Sequence, residues 1–427
     1  MHATASEQKV MNPQPARRRV VITGRGAITP IGLNVAEFWA SLMAGRSGIG
    51  PITSFDASGL PVRIAGEIKG FEPTDWMERK VSRRIDRFAH YAIASTLQAL
   101  EESKLTIDDD IAPRVGVLVG SGFGATLILH HSAINMVEKG FRGLTPWITA
   151  GAAIDSAAGE VALRVNAQGP SGAISTACAS GTDAVGMGMR MIMYGNADVV
   201  LAGGSDNSVT SVDVGSAAMS RALSKRNDDP ERASRPFDVD RDGFVVSAGA
   251  GMVVLEELEH ALSRGALILA EVIGYGASTD AYHPTAPHPT GRGARQAMQA
   301  ALTDAGVRPE DIDYINAHGT STVLNDRTES QAIRTLFGEH ALRIPISSTK
   351  SMTGHMIGAA GVVELMATVN AMLDGRVPPT INCDNPEDPE LNYVPHKPQE
   401  HRVDVAMSNS FGFAGHNAVA VVRRWQG

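Results

Sequence analysis

Ala173-Ile174-Ser175-Thr176-Ala177-Cys178-Ala179-Ser180-Gly181 is the stretch on which the reading of this chain turns. A short β-biased piece runs into a turn of small residues that presents one cysteine. Asp183 to Ile192 then carries apolar residues at mixed i, i+3 and i+4 spacings. The pattern predicts a strand-to-helix junction with Cys178 on it. The free N–H groups and positive end of a helix start favour a thiolate, so a nucleophile is one reading. A packed structural thiol is the other, and the local residues do not separate them.

Outward from the cysteine the same grammar repeats. Arg19–Gly24, Arg114–Gly120, the cysteine segment, Asp198–Gly204 and Phe244–Val246 continuing through Gly251–Glu256 read as five buried strands. Ala270–Gly276, Asp313–Gly319, Ile344–Ser348, Val403–Ser408 and Ala418–Val422 read as five more. Val35–Ala44 and Asp86–Glu102 read as helices, the second with Ala92, Ala94, Leu97 and Leu100 on one side. Two successions of five strand candidates predict an α/β fold of two duplicated halves, 18–265 and 266–427, behind a disordered tail at 1–17. Asn227–Asp242 and Asn382–Gln399, rich in Asp, Asn, Pro and Glu, predict long ordered loops.

Bulk properties narrow the function. A chain of 427 residues, 43% apolar and 20% charged, can bury a large core. A formal net charge of −8 argues against general nucleic-acid binding. No run reaches the ~18 apolar residues of a membrane span, and the N-terminus lacks a secretory core, so a cytoplasmic protein is expected. Cys178 and Cys383 lie far apart in unlike contexts, which implies neither a disulfide framework nor a zinc site. The histidines at 130, 131, 283 and 288 have no partner pattern for a metal, so none is expected. Gly24-Arg25-Gly26 lacks the third glycine of a dinucleotide turn, and there is neither a GxSxG elbow nor a phosphate loop.

Three further strand ends pair unusual residues with glycine-rich turns: Asn316–Thr322 with His318, Ser347–His355 with Lys350 and His355, and Asn409–Asn417 with Phe411 and Phe413. Ligands in open α/β sheets collect beyond the carboxyl ends of strands, so these could converge on Cys178. Each also has an ordinary explanation: a histidine satisfying carbonyls, a solvated lysine, aromatic packing.

From Arg19 to Arg423 the chain resembles the elongating β-ketoacyl-acyl carrier protein (ACP) synthases, most like the synthase II kind. The residues that carry the likeness are Ser175–Gly181, Ser234-Arg235-Pro236-Phe237-Asp238 with Arg241–Phe244, Asn316–Thr322, Ser347–His355 and Asn409–Phe413. The resemblance implies the thiolase fold, two halves in a five-layered αβαβα sandwich, and a homodimer. It implies a decarboxylative condensation that extends a cysteine-bound acyl chain by two carbons, with no bound cofactor and with substrates carried on the phosphopantetheine of ACP. Cys178 would be the nucleophile, the N–H groups of Cys178 and Phe413 the oxyanion hole, and His318 and His355 the pair that binds the malonyl thioester oxygen. Lys350 would be a supporting lysine partnered by Glu364, Asp326 and Glu329.

By the same resemblance Thr285, Thr320 and Thr322 would line the phosphopantetheine tunnel with Phe411 at the substrate. Lys80, Arg83, Arg84 and Arg221 would form the landing site for the acidic ACP. The chain departs from its relatives at Ala414, where they read glycine, and at Phe123, a bulky residue at the acyl pocket, which is expected to favour short or unusual primers. A ketosynthase of a specialised polyketide or polyene pathway is the alternative within enzymes. A cavity-shaping partner subunit of a heterodimer is the alternative outside them.

Overall fold

The computed structural model describes residues 17–427. The tail expected over 1–17 therefore lies outside the described residues except for Arg17, whose Nη1 donates to Asp304 at 3.0 Å.

Ten strands carry the architecture: β1 (Val20–Ile28), β2 (Val115–Gly120), β3 (Ser171–Ile174), β4 (Val199–Asp206), β5 (Gly249–Glu257), β6 (Ala270–Thr279), β7 (Tyr314–Asn316), β8 (Ile346–Ser347), β9 (Val405–Phe411) and β10 (His416–Arg424). They hydrogen-bond in the order β8-β7-β9-β10-β6-β1-β5-β4-β2-β3. Counted from the centre, each half runs first, fifth, fourth, second, third strand of its own set. The directions repeat too. In each half the inner two pairings are antiparallel and the outer two are parallel. The duplication that the residues suggest without identity is thus a duplication of topology. The halves join where β1 and β6 pair over Val20↔Val272, Val21↔Glu271 and Ile22↔Ala270.

Helices α1 (Val35–Met43), α2 (Arg87–Ser103), α3 (Thr126–Lys139), α4 (Ser156–Val165), α5 (Ser180–Met193), α6 (Ser211–Met219), α7 (Arg292–Ala305), α8 (Val323–Phe337) and α9 (Ala360–Asp374) cover the strands. Because strands buried on both faces alternate their side chains, they feed separate apolar layers. Val115, Val117, Val119, Val199 and Leu201 pack with Phe88 and Ala92 of α2. Leu118, Val200 and Ala202 point the other way, into a central layer that also holds Val185 and Met189 of α5 and Val362, Met366 and Val369 of α9. Ile315, Met407, Val419 and Val421 pack outward against Ala297 and Met298 of α7. Helix, half-sheet, helix pair, half-sheet and helix make five layers. The expectation that no run is long and apolar enough for a membrane span is corrected: among the described residues Ile357–Asp374 meets that length and hydropathy, and 89% of it is buried inside the fold.

One expected strand is corrected. Phe244–Val246 stands apart from β5, and its ends make only isolated bridges, Leu223↔Phe244 and Val246↔His355. Two glycines, Gly249 and Gly251, lie between Val246 and Met252, and β5 begins at Gly249. The two long loops are ordered and tied to each other, since Val239 donates its N–H to the carbonyl of Asn385 at 2.9 Å.

The central layer is close enough to require glycine. A Cβ on Gly186 of α5 would lie 2.2 Å from the Tyr275 ring of β6. That ring position lets the Tyr275 hydroxyl donate to Asp183 at 2.5 Å, whose other oxygen accepts from the Thr176 hydroxyl two residues before the cysteine. Gly186→Ala is expected to destabilise the protein by about 1–3 kcal/mol through overpacking, read as a lowered thermal midpoint. An unchanged midpoint would contradict the packing described.

Candidate active site

Cys178 stands in a short 3-10 turn, Ala177–Ala179, that leads directly into α5. The turn is wound tightly. Ala177 has φ of +51°, and the Ser180 hydroxyl both accepts the Thr176 N–H at 2.9 Å and donates to the Ala177 carbonyl at 2.6 Å. The strand-to-helix junction is therefore as expected, with the thiol only 5% exposed.

The other strand ends do converge on it. Ligating atoms of Cys178, His318 and His355 all lie within 4.8 Å of one another, and the imidazole centroids are 5.3 Å apart at 81°. His318 follows β7, and His355 follows the short helix Lys350–Thr353 after β8. The residues misread as strand wall in His355. Its N–H donates to the Val245 carbonyl at 2.8 Å, and the Phe244 ring meets its imidazole edge-on at 5.5 Å.

The tautomer of His355 follows from its partners. Nδ1 accepts the Ile357 N–H at 3.3 Å, so in the neutral ring the proton sits on Nε2, which has no partner among the described residues. Both imidazoles are held neutral. Burial and the nearby Lys350 charge push each well below the usual histidine range, with His355 adding to the effect on His318.

Lys350 is 1% exposed and bonds Glu364 of α9 through Nζ. Here the expectation of three carboxylate partners is corrected. Asp326 instead accepts the N–H groups of Phe237 and Ser321, at 2.9 and 3.1 Å, beside Arg241 at 3.6 Å. Glu329 accepts those of His318 and Gly319, both at 2.8 Å. These two acids hold loops, not the lysine. Burial pushes Glu329 up to about 7, and Glu364 likewise despite its lysine.

The expected thiolate is also corrected. Burial pushes the Cys178 thiol up to about 12, outweighing the Lys350 charge and the N–H groups of Phe413 and of Cys178 itself, which act to lower it. The resting site is therefore a neutral thiol beside two neutral imidazoles. Both N–H groups lie close enough to the sulfur to act on it. Phe413 reaches it from a turn in which Ala414 takes φ of +59°, the left-handed conformation in which its Cβ is a cost.

A cavity of about 570 Å³ opens onto the thiol, lined by Phe123, Thr285, Thr320, Thr322, Phe411 and Phe413 among others. Thr320 and Thr322 share a hydroxyl contact at 2.9 Å. Phe123 is 44% exposed, and the loop that carries it hangs on Asp206, a residue sequence reasoning missed. Asp206 accepts from Ser121 Oγ, the N–H groups of Gly122 and Phe123, and the N–H of Gly358, at 2.7–3.0 Å. Its signal was a carboxylate closing an otherwise apolar strand. Of the expected docking residues, Lys80 and Arg83 are exposed and Arg221 lines the cavity. Arg84 is engaged elsewhere, 3.7 Å from Glu160 and stacked over Trp147. Cys383 is buried away from the cavity among Leu391, Tyr393 and Phe237.

A thiol raised by burial alkylates faster as pH rises toward its own pKa. Iodoacetamide labelling of Cys178 is expected to keep accelerating through pH 9, the ordinary cysteine value. A plateau below pH 8 would contradict the neutral resting thiol.

Comparison with known proteins agrees with this geometry. Residues 17–261 match the family model of the beta-ketoacyl synthase N-terminal domain and residues 269–384 that of the C-terminal domain. The chain is 48% identical over 412 residues to 3-oxoacyl-[acyl-carrier-protein] synthase 2 of Synechocystis sp., covering 96% of this chain and 99% of that protein. It is 47% identical over 409 residues to the protein of the same name from Coxiella burnetii, with the same coverage. Among solved structures, a beta-ketoacyl synthase from Burkholderia phymatum superposes with a TM-score of 0.89 at 36% identity, over 96% of this chain and 100% of that one. The ishigamide ketosynthase/chain length factor does so with 0.89 at 38%, with the same coverage. A type II PKS ketosynthase, in complex with its acyl-carrier protein and bound to the hexaketide, gives 0.88 at 34%, again covering 96% and 100%. With a thiolase-like fold, a buried cysteine faced by two histidines, and both family models matched in order, the chain belongs to the beta-ketoacyl synthase family of condensing enzymes.

Proposed function

We propose that this enzyme is a 3-oxoacyl-ACP synthase acting in fatty acid elongation. Cys178 attacks the thioester of an acyl-ACP, the bond to the carrier sulfur breaks, and the thiol proton leaves with the carrier as its free phosphopantetheine thiol. Malonyl-ACP then loses carbon dioxide, and the electron pair of the broken C–C bond passes to a thioester enolate. The enolate attacks the acyl group, the bond to Cys178 breaks, and the released thiolate takes a proton from solvent, replacing the one that left with the first carrier. The product is a 3-oxoacyl-ACP two carbons longer.

The observation that carries this reading is the unpartnered Nε2–H of His355 beside His318 and Cys178. A neutral N–H donor left without a protein partner at the cavity suits a developing enolate oxygen, and it costs no reorganisation at the moment of reaction. The N–H groups at Cys178 and Phe413 suit the oxygen of the acyl thioester in the same way. Lys350 supports both by its charge, and Glu329 by fixing the turn at His318.

The acidic carrier protein would land on Lys80, Arg83 and Arg221, with Thr285, Thr320 and Thr322 offering hydroxyls to the amides of its arm. A homodimer is favoured by two features: β3 ends the sheet with one edge unpaired among the described residues, and Val137, Phe141 and Trp147 expose apolar surface nearby in sequence. No prosthetic group is needed for these steps, and a cytoplasmic setting fits a carrier-borne substrate.

The two half-reactions separate by mutation. Cys178→Ala is expected to abolish chain extension while malonyl-ACP is still decarboxylated. His355→Ala is expected to retain acylation of Cys178 while decarboxylation falls by roughly 10²–10³-fold. Loss of acylation in His355→Ala with decarboxylation intact would reverse the assignment.

A further inference from the structure

The cavity beside Phe123 has one wall unlike a hydrocarbon pocket. Asp213, Ser216 and Ala217 of α6, and Ser220 just past its end, all line it. Their i, i+3, i+4, i+7 spacing sets them on one helix face, and none is a large apolar side chain. Ser216 and Ser220 are exposed, whereas Asp213 is 4% exposed, which puts Asp213 toward the closed end.

Asp213 uses half of its carboxylate. Oδ2 accepts from the Thr210 hydroxyl at 2.6 Å, and Thr210 accepts the Asp213 N–H at 3.1 Å, a contact that caps α6. No donor among the described residues reaches Oδ1. Two of the neighbouring hydroxyls are committed: Ser208 donates to the Ser247 carbonyl at 2.9 Å and Ser220 to the Ala217 carbonyl at 2.7 Å. Nor does a cation compensate. Burial, with the carboxylates of Asp206 and Asp86, pushes Asp213 up to about 6. A water can serve such an oxygen while the cavity is empty. A saturated chain end that displaced it would strand a buried acceptor, at a cost a hydroxyl would avoid.

Resting on the condensing reading above, we propose that Asp213 is a specificity-determining residue that accepts a hydrogen bond from a hydroxyl near the far end of the acyl group held on Cys178. The preferred primers are therefore hydroxylated acyl chains, and unsubstituted chains are the poorer substrates. Phe123 sets how far such a chain reaches, and Asp213 selects what stands at its end.

The test is the rate of Cys178 acylation by two matched series of acyl-ACPs of graded length, one plain and one bearing a terminal hydroxyl, followed by intact-protein mass spectrometry. The wild type is expected to favour the hydroxylated chain by about tenfold or more at its best length. Asp213→Leu is expected to reverse that preference. Asp213→Asn, which keeps an oxygen for Thr210, is expected to weaken it, and serves if the leucine variant fails to fold. A wild-type preference near unity at every length would overturn the proposal. So would a preference unchanged in both variants, because a purely structural Asp213 would slow both series alike. Acylation by neither series would overturn the condensing reading itself and this proposal with it, whereas acylation without preference leaves that reading standing.

Discussion

One buried ion pair governs the electrostatics of this site. Lys350 meets Glu364 where neither side chain reaches solvent, and its charge acts on Cys178, His318 and His355 alike. Burial alone would already keep all three neutral. The lysine deepens that bias for the imidazoles and relaxes it for the thiol, the direction a nucleophile beside two hydrogen-bond donors requires. Removing one partner of such a pair leaves an uncompensated buried charge, typically a cost of about 3–5 kcal/mol. The position of Glu364 on α9, the helix between the half-sheets, makes the pair part of the core rather than an attachment to it.

Around this pair, carboxylates gather the loops. Asp206 draws together the turn that carries Phe123 and the turn at Gly358. Glu329 fixes the backbone at His318, Asp326 binds the turn at Ser321 to the loop at Phe237, and Asp183 joins Thr176 to Tyr275. Each joins segments that are distant in sequence or turns that would otherwise leave N–H groups unpaired in a dry interior. The catalytic groups sit on loops, yet these acceptors give the loops the rigidity of the sheet they leave.

Much of this was legible in the residues because strand ends are. A β-branched run closing on a glycine-rich turn announces both the strand and the exit, so Cys178, His318, Lys350, His355 and Phe413 could be placed at one end of a sheet. What the residues could not carry were choices between equivalent partners. Three acids stood near Lys350 in pattern, and only packing between α9 and the β8 end selects Glu364. The thiolate expected from the helix start failed for a related reason: burial is a property of the whole fold, and it outweighs a local dipole. Phe244–Val246 misled because an apolar triplet that walls a histidine has the same pattern as one that extends a strand. Asp213 and Asp206 escaped notice because a single acid at an element's end usually caps it.

The central claim is that Cys178 carries the chain and the histidine pair supplies the nucleophile that removes it. The most direct measurement follows the Cys178 peptide by mass spectrometry through a single turnover, first with acyl-ACP and then with malonyl-ACP. The mass of the peptide is expected to rise by one acyl group, then to return to its starting value as an equal amount of carbon dioxide and of the longer 3-oxoacyl-ACP appears. A gain on Cys383 instead, or an acyl-Cys178 that malonyl-ACP does not discharge, would contradict it.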